Sequence, residues 1–412
     1  MRRLLWCLVL GAVAGLCGAA APAPFTAPAI ELPPSGIRAS ELAVVINERD
    51  ALSRAIGRYY QQKRGIPQEN VIRVSLPPGK HVLTRAEFAA LRQDVAAATG
   101  ANIQAYALAW VAPYRVDCMS ITSAFAFGFD DAYCASGCNP TRRSPYYNTA
   151  TIHPRTEVSV MPTMMLAAET FEQAKRLIDR GVRADGRLPR GDVYLLETSD
   201  SSRSVRAQLF PAVVKAFGGS LRVHWEQADS IQYKTNVLFY FTGLTHVEGI
   251  GTNHFLPGAM ADHLTSAGGD LIGGSQMSAL RWLEQGATAS YGAVVEPCNF
   301  IEKFPNPLLA IYYYLRGNTL IEAYWKSVAM PGQGVFIGEP LAQPYRGYVL
   351  RRLTGSWLLT SPALTQGEYR VLAADRPDGD YGVVVDSVPV LPMQPGIVLA
   401  EPLRAAYRIE ML

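Results

Sequence analysis

Three of the chain's six histidines, His246, His254 and His263, follow a single apolar run, and Glu248 and Asp262 lie among them. Two residues able to act as nucleophiles stand downstream: Ser266, in Asp262-His263-Leu264-Thr265-Ser266, and Cys298, in Glu296-Pro297-Cys298-Asn299. A thiol or hydroxyl becomes a nucleophile when an imidazole within hydrogen-bond reach takes its proton and later protonates the leaving group. His246 is the candidate base, so His246, Cys298 and Ser266 form the catalytic set. Glu296, Asp262, His263 and Glu248 are the candidate ligand-binding residues. Each has a plainer reading. His246 then is an exposed loop histidine, Glu296 a surface carboxylate in a salt bridge, and Cys298 a disulfide partner. His254, Asp262 and His263 match no short metal-ligand motif, and neither metal nor cofactor is expected.

The elements that must position these residues are legible around them. Val237-Leu238-Phe239-Tyr240-Phe241-Thr242 carries no charge and no alternation, which predicts a strand covered on both faces. Gly243 breaks it. A helix-like segment over Gln276–Gln285 puts Met277, Leu280 and Leu283 on one face, with Gly286 as its stop. Ala287–Val295 reads as a second buried strand. Strand ends of open α/β sheets gather loops and helix N-termini, so an active site is expected there.

The totals limit the classes. With 412 residues, 49% of them apolar, the chain can bury a large core. Its 38 basic and 35 acidic side chains leave a net charge of +3, without the basic stripe of a nucleic-acid protein. Met1-Arg2-Arg3, the apolar stretch Leu4–Leu16 and Gly18-Ala19-Ala20 have the form of a cleaved signal peptide over residues 1–20. The chain is therefore expected to be secreted, with no later transmembrane span. Export makes Cys118, Cys134, Cys138 and Cys298 disulfide candidates, with three possible connectivities. Cys134 and Cys138 are close enough to pair locally. Their C-x3-C spacing also suits zinc, but no second close pair completes a site.

Residues 21–40 are rich in Ala and Pro and are expected to be a linker. From Leu42 to about Tyr345, apolar runs at Leu42–Ile46, Val71–Val74, Ala105–Val111 and Val193–Leu196 alternate with helical spacings. Thr84/Glu87, Thr170/Gln173 and Thr319/Glu322 form capping boxes ahead of three helices, and Asn306-Pro307 starts another. Strand-helix-strand alternation of this kind predicts a doubly wound, mostly parallel α/β sheet. The first strand-helix loop, Asn47-Glu48-Arg49-Asp50, lacks the glycines of a dinucleotide site. A long insert runs over residues 116–163, and residues 346–412 alternate in short runs that predict a small antiparallel β module.

Several blocks resemble an uncharacterised family of exported bacterial proteins found in genomes that carry exosortase, a proposed sorting transpeptidase. They are Arg64-Gly65-Ile66-Pro67, Ser120-Ile121-Thr122-Ser123, Asp262-His263-Leu264-Thr265-Ser266, Gly286–Gly292 with Glu296-Pro297-Cys298, and Glu322–Val328. The resemblance implies a location in the periplasm or outer envelope of a Gram-negative-type bacterium and a sorting neighbourhood, with peptide or exported protein as partner, and no assigned reaction. More loosely, the order of elements is similar to gingipain-type cysteine peptidases of the caspase-like fold. That similarity implies a His after one strand and a Cys after the next. This chain departs from it: Leu244-Thr245 displace His246, Thr265-Ser266 stand where the cysteine belongs, and Gly338-Glu339-Pro340 replaces Gly-Asp-Pro. The expectation is a non-catalytic scaffold, with His246 out of reach of both Cys298 and Ser266. The alternative is a cysteine or serine hydrolase with a displaced nucleophile.

Overall fold

The computed structural model describes residues 26–135, 137–392 and 396–412, so the signal peptide expected over residues 1–20 lies outside the described residues. Ten strands make the main sheet: β1 (Leu42–Asn47), β2 (Val71–Val74), β3 (Ala105–Leu108), β4 (Thr163–Met165), β5 (Asp192–Glu197), β6 (Arg222–Gln227), β7 (Val237–Thr242), β8 (Phe255–His263), β9 (Ala289–Ala293) and β10 (Gly334–Gly338). Their spatial order is β6-β5-β7-β8-β9-β10-β4-β3-β1-β2. Every neighbouring pair is parallel except β9–β10, where Ser290 faces Ile337 and Gly292 faces Val335 in antiparallel register. The sheet is thus two five-strand parallel blocks of opposite polarity. The strands of the β7 block all end at one edge, and those of the β1 block at the other.

The local rules act where the residues predicted them. Every residue of β7 is buried, as a charge-free strand between two covered faces requires. The three capping boxes form, and Gly65 closes the helix Ala51–Arg64 in the left-handed conformation at φ 62°. The Asn306 side chain accepts from Leu308 N–H at the start of Pro307–Leu315. On one face of the sheet pack the helices around Tyr314, Tyr324 and Trp325. On the other, Trp282, Tyr240 and Phe255 form a smaller aromatic cluster.

Three expectations are corrected. The break at Gly243 does not lead straight to the segment Gln276–Gln285, because Phe255–His263 is a further strand and carries Asp262 and His263 into the sheet. The helix expected over Gln276–Gln285 is confined to Leu280–Glu284. Residues 21–40 are not all linker: Ala29–Glu31 pairs in parallel with Ala406–Arg408 of the C-terminal module. The Ser35 hydroxyl then donates to Gly317 O at 2.8 Å and Ile37 N–H to Glu322 Oε2 at 2.9 Å. Gly36 permits this approach, since a Cβ there would lie 2.3 Å from Glu322 Oε2. Ala/Pro composition describes a segment's own stiffness and carries no information about such long-range partners.

The long insert is packed rather than open. The Ser120 side chain caps the helix Ile121–Phe127, Phe125 and Tyr146 are buried, and the Phe127 and Tyr133 rings stack at 4.4 Å. The C-terminal part is antiparallel apart from its pairing with Ala29–Glu31: Val349–Leu353, Ser356–Thr360 and Gly396–Ala400 form one sheet, and Gly367–Ala374, Gly382–Val390 and Ala406–Met411 another.

Candidate functional site

At the edge where β5, β7, β8 and β9 end, the connecting loops cross at backbone distance. A Cβ on Gly243 would meet Arg203 O at 1.9 Å, and one on Gly292 would meet the Gly268 carbonyl carbon at 2.4 Å. The segment after β8 therefore lies flat between its neighbours. Met277 N–H reaches Thr245 O at 2.9 Å, while Gly269 N–H reaches Ala293 O at 2.8 Å. The loop after Gly243 and the end of β9 thus share one edge, joined through residues 264–279.

The polar centre of this edge joins Thr265 and Asp262 to side chains that no sequence motif marks as a site, Asp200, Arg203 and Arg206. Arg203 Nε donates to Thr265 Oγ1 at 3.1 Å, and Thr265 Oγ1 donates to Gln276 Oε1 at 2.8 Å. Gln276 Oε1 also accepts from Ala267 N–H at 2.8 Å, and Asp200 holds Arg203 at 2.7 Å. Deeper, Arg206 and Asp262 form an ion pair at 2.6 Å with both side chains out of solvent. Arg206 further donates to Thr242 O at 2.6 Å and Pro305 O at 3.3 Å. Burial pushes the Asp262 carboxyl up, and Arg206 opposes that shift. One signal for Arg206 was present: a carboxylate inside an apolar run requires a buried cation somewhere in the chain.

His263 is held on both nitrogens. The Trp282 indole N–H donates to Nδ1 at 2.9 Å, so the neutral ring carries its proton on Nε2, which donates to Met277 O at 3.0 Å. Desolvation pushes its pKa down to about 3. This histidine stabilises the loop and has no free lone pair for a proton or a metal. Asp262, neutralised by Arg206, does not offer itself as a ligand either.

The catalytic candidates do not assemble. His246 is 65% exposed, with Glu248 Oε1 at 3.9 Å as its nearest carboxylate contact and Glu248 itself 80% exposed. Ser266 is half-buried, and among the described residues no hydrogen bond joins it or Cys298 to His246. His254 bonds Thr235 O through Nδ1 at 2.9 Å. Cys298 is bonded to Cys138, with Cα atoms 5.5 Å apart, and Cys118 to Cys134, at 5.4 Å. The local Cys134–Cys138 pairing is thereby excluded, and a C-x3-C zinc site with it. Asp131 lies beside the Cys118–Cys134 sulfurs, but these are spent on each other. Glu296 is exposed and accepts Cys298 N–H at 2.6 Å, fixing the turn that presents the sulfur to the insert. Buried Lys303 adds a second clamp, donating to Asn139 O at 2.7 Å.

At the opposite edge, after β10, fully buried Glu339 receives Arg64 Nε at 2.9 Å, and Arg64 also pairs with Asp185. Gly181 makes room, because a Cβ there would stand 2.3 Å from Glu339 Oε2. Beside the N-terminal segment, Lys326 is enclosed with Glu322 at 3.9 Å and donates to Asn318 Oδ1 at 2.6 Å, with its pKa lowered by burial to about 8. Three of the blocks quoted from the sequence, those holding Arg64, Asp262 and Glu322–Val328, thus build interior ion pairs.

No protein-family model and no curated protein matches the sequence. Among solved structures, the chain is similar to one described as a protease, with 10% identity and a TM-score of 0.42 over 89% of this chain and 92% of that one. It is also similar to the complex of the Porphyromonas gingivalis RgpB pro- and mature domains, with 10% identity and a TM-score of 0.43 over 89% of this chain and 94% of that one.

Proposed function

We propose that this chain is an exported, non-catalytic binding protein of the bacterial cell envelope, whose ligand is a peptide or another exported protein. The observation that carries this reading is the Cys138–Cys298 bond. It occupies the one cysteine placed at the end of β9, while exposed His246 has neither that sulfur nor the Ser266 hydroxyl as a hydrogen-bond partner. Acyl transfer needs a nucleophile, a base in contact with it and donors for the oxyanion. The first two are not brought together. Two disulfides also suit an oxidising compartment outside the cytoplasm. We further propose a role in exosortase-type sorting, supported by the blocks quoted from the sequence.

Electrophilic serine and cysteine probes test the first part on the oxidised protein. The expected result is no labelling of Ser266 or Cys298 that depends on pH or is lost in His246→Ala. Stoichiometric, His246-dependent labelling of either residue would make the chain a hydrolase. For the sorting role, deletion of the gene is expected to leave exosortase substrates unsorted in the surface proteome. An unchanged distribution removes that part.

A further inference from the structure

The α/β domain and the C-terminal module enclose a cleft of about 930 Å³, at the large end of ligand pockets. Its walls are the N-terminal segment from Glu31 to Ser35, the end of the helix Pro307–Leu315, and the last residues of the strand Ala406–Met411. One wall is an unfinished sheet. Backbone groups of successive strand residues point to opposite sides. Ala405 O accepts from Ala29 N–H on one side of this strand, and Leu412 N–H donates to Glu368 O on the other. Odd-numbered residues therefore direct their N–H and C=O toward the N-terminal strand.

That strand ends at Glu31, opposite Arg408. In the same register, the donor due to meet Ile409 C=O is residue 33, which is proline and has no N–H. Pro33-Pro34 turns the chain away. Among the described residues, Ile409 C=O and the N–H and C=O of Met411 are left facing the cleft without a strand partner.

The opposite wall holds an available cation. Three arginines line the cleft, and two of them are committed: Arg38 to Glu41 and Arg408 to Glu31, each at 2.8 Å. Arg316 has no carboxylate within 4 Å among the described residues. Its guanidinium sits 4.8 Å from the ring centroid of Tyr312, which is 38% exposed. A guanidinium fixed on an aromatic face favours a carboxylate.

We propose that this cleft binds an extended peptide bearing an acidic side chain. The peptide continues the sheet along Ile409–Met411 where the chain's own strand stops, supplies the N–H missing opposite Ile409, and places its carboxylate on Arg316. Backbone pairing gives affinity and the charge gives selectivity, as in other strand-addition sites. The proposal rests on the binding reading above and names its site and ligand class.

The test uses the full oxidised chain and fluorescein-labelled octapeptides of alternating Thr and Val carrying either Glu or Lys. Fluorescence anisotropy is expected to show saturable binding of the Glu peptide only. N-methylation at alternate peptide positions is expected to weaken binding about tenfold, through lost strand hydrogen bonds. Arg316→Glu should cost a similar factor. So should Met411→Pro, which removes an open-side N–H and leaves the paired side intact. Unchanged melting temperatures separate these effects from misfolding. Equal binding of Glu and Lys peptides, wild-type affinity in both variants, or no saturable binding at millimolar peptide overturns the cleft. Displacement by inorganic phosphate with no effect of N-methylation reduces it to a simple anion site. The probe-labelling result is independent of these outcomes, so the non-catalytic reading stands or falls separately.

Discussion

Arg206→Ala is expected to lower unfolding stability by about 3–5 kcal/mol, because it strips the counter-charge from a carboxylate that water cannot reach. Asp262 is buried in β8, and Arg206 is 1% exposed on the segment leading into the helix Phe210–Phe217. The guanidinium does three things at once. It neutralises Asp262 at 2.6 Å, satisfies Thr242 O at the end of β7, and reaches Pro305 O. Burial raises the pKa of enclosed Tyr324, Asp262 adds to that rise and Arg206 opposes it. Removing Arg206 strips Asp262 of its counter-charge and Pro305 O of that donor, whereas Thr242 O keeps the Leu264 N–H at 3.0 Å. The double change Arg206→Met with Asp262→Leu removes both charges, and is expected to recover most of the loss, since buried ion pairs gain little over packed apolar residues. Urea midpoints at unchanged slope measure both effects. A cost of less than about 1 kcal/mol for Arg206→Ala would mean that Asp262 is solvated or neutral in the folded chain.

What the residues disclosed and what they concealed follow one division. Features fixed within a few residues were legible. The charge-free run of β7, the Thr84/Glu87, Thr170/Gln173 and Thr319/Glu322 boxes, and the cap at Asn306 all formed. The strand Phe255–His263 was hidden because Pro257-Gly258 interrupts its pattern. Gly258 takes φ +91°, and the register with β7 shifts between Val237 and Phe239, so the break is a bulge inside a strand. The reversal of β10 against β9 was equally silent, since strand direction depends on how the helices between them return. The site showed the same split. His246, Ser266 and Cys298 could be picked out by residue type and by their place after predicted strands. The partners that turn Asp262 and His263 into structural residues, Arg206 and Trp282, are distant in sequence and meet them only through the sheet. The loop cysteines were legible as candidates, but the choice of Cys138 for Cys298 depended on where the insert packs.

Acid is expected to destabilise the chain between pH 6.5 and 3 by an amount on the order of 4 kcal/mol attributable to His263 alone. The ring is neutral when folded, with Nδ1 accepting from Trp282 and Nε2–H donating to Met277 O. A second proton would have to enter at Nδ1, against the indole N–H and inside apolar packing. Desolvation is the main cause of the fall to about 3, and the charges of Arg206 and His246 act in the same direction, opposed by the Met277 carbonyl. The sign follows from this depressed pKa. Above pH 6.5 neither the folded nor the unfolded ring binds the extra proton, and the stability is fully present. As pH falls, the unfolded chain takes the proton and the folded chain does not, so stability is lost until the folded pKa is reached. Carboxylates titrate in part of the same window, and the difference between two proteins isolates the histidine. His263→Asn, whose side-chain oxygen can still accept from Trp282, is expected to be less stable at pH 7 but to lose less stability on acidification. Urea midpoints measured from pH 7 to 4 give both slopes. If the variant keeps the wild-type slope, His263 is not the proton-linked group, and the closed hydrogen-bond pair assigned to its ring does not govern this edge of the sheet.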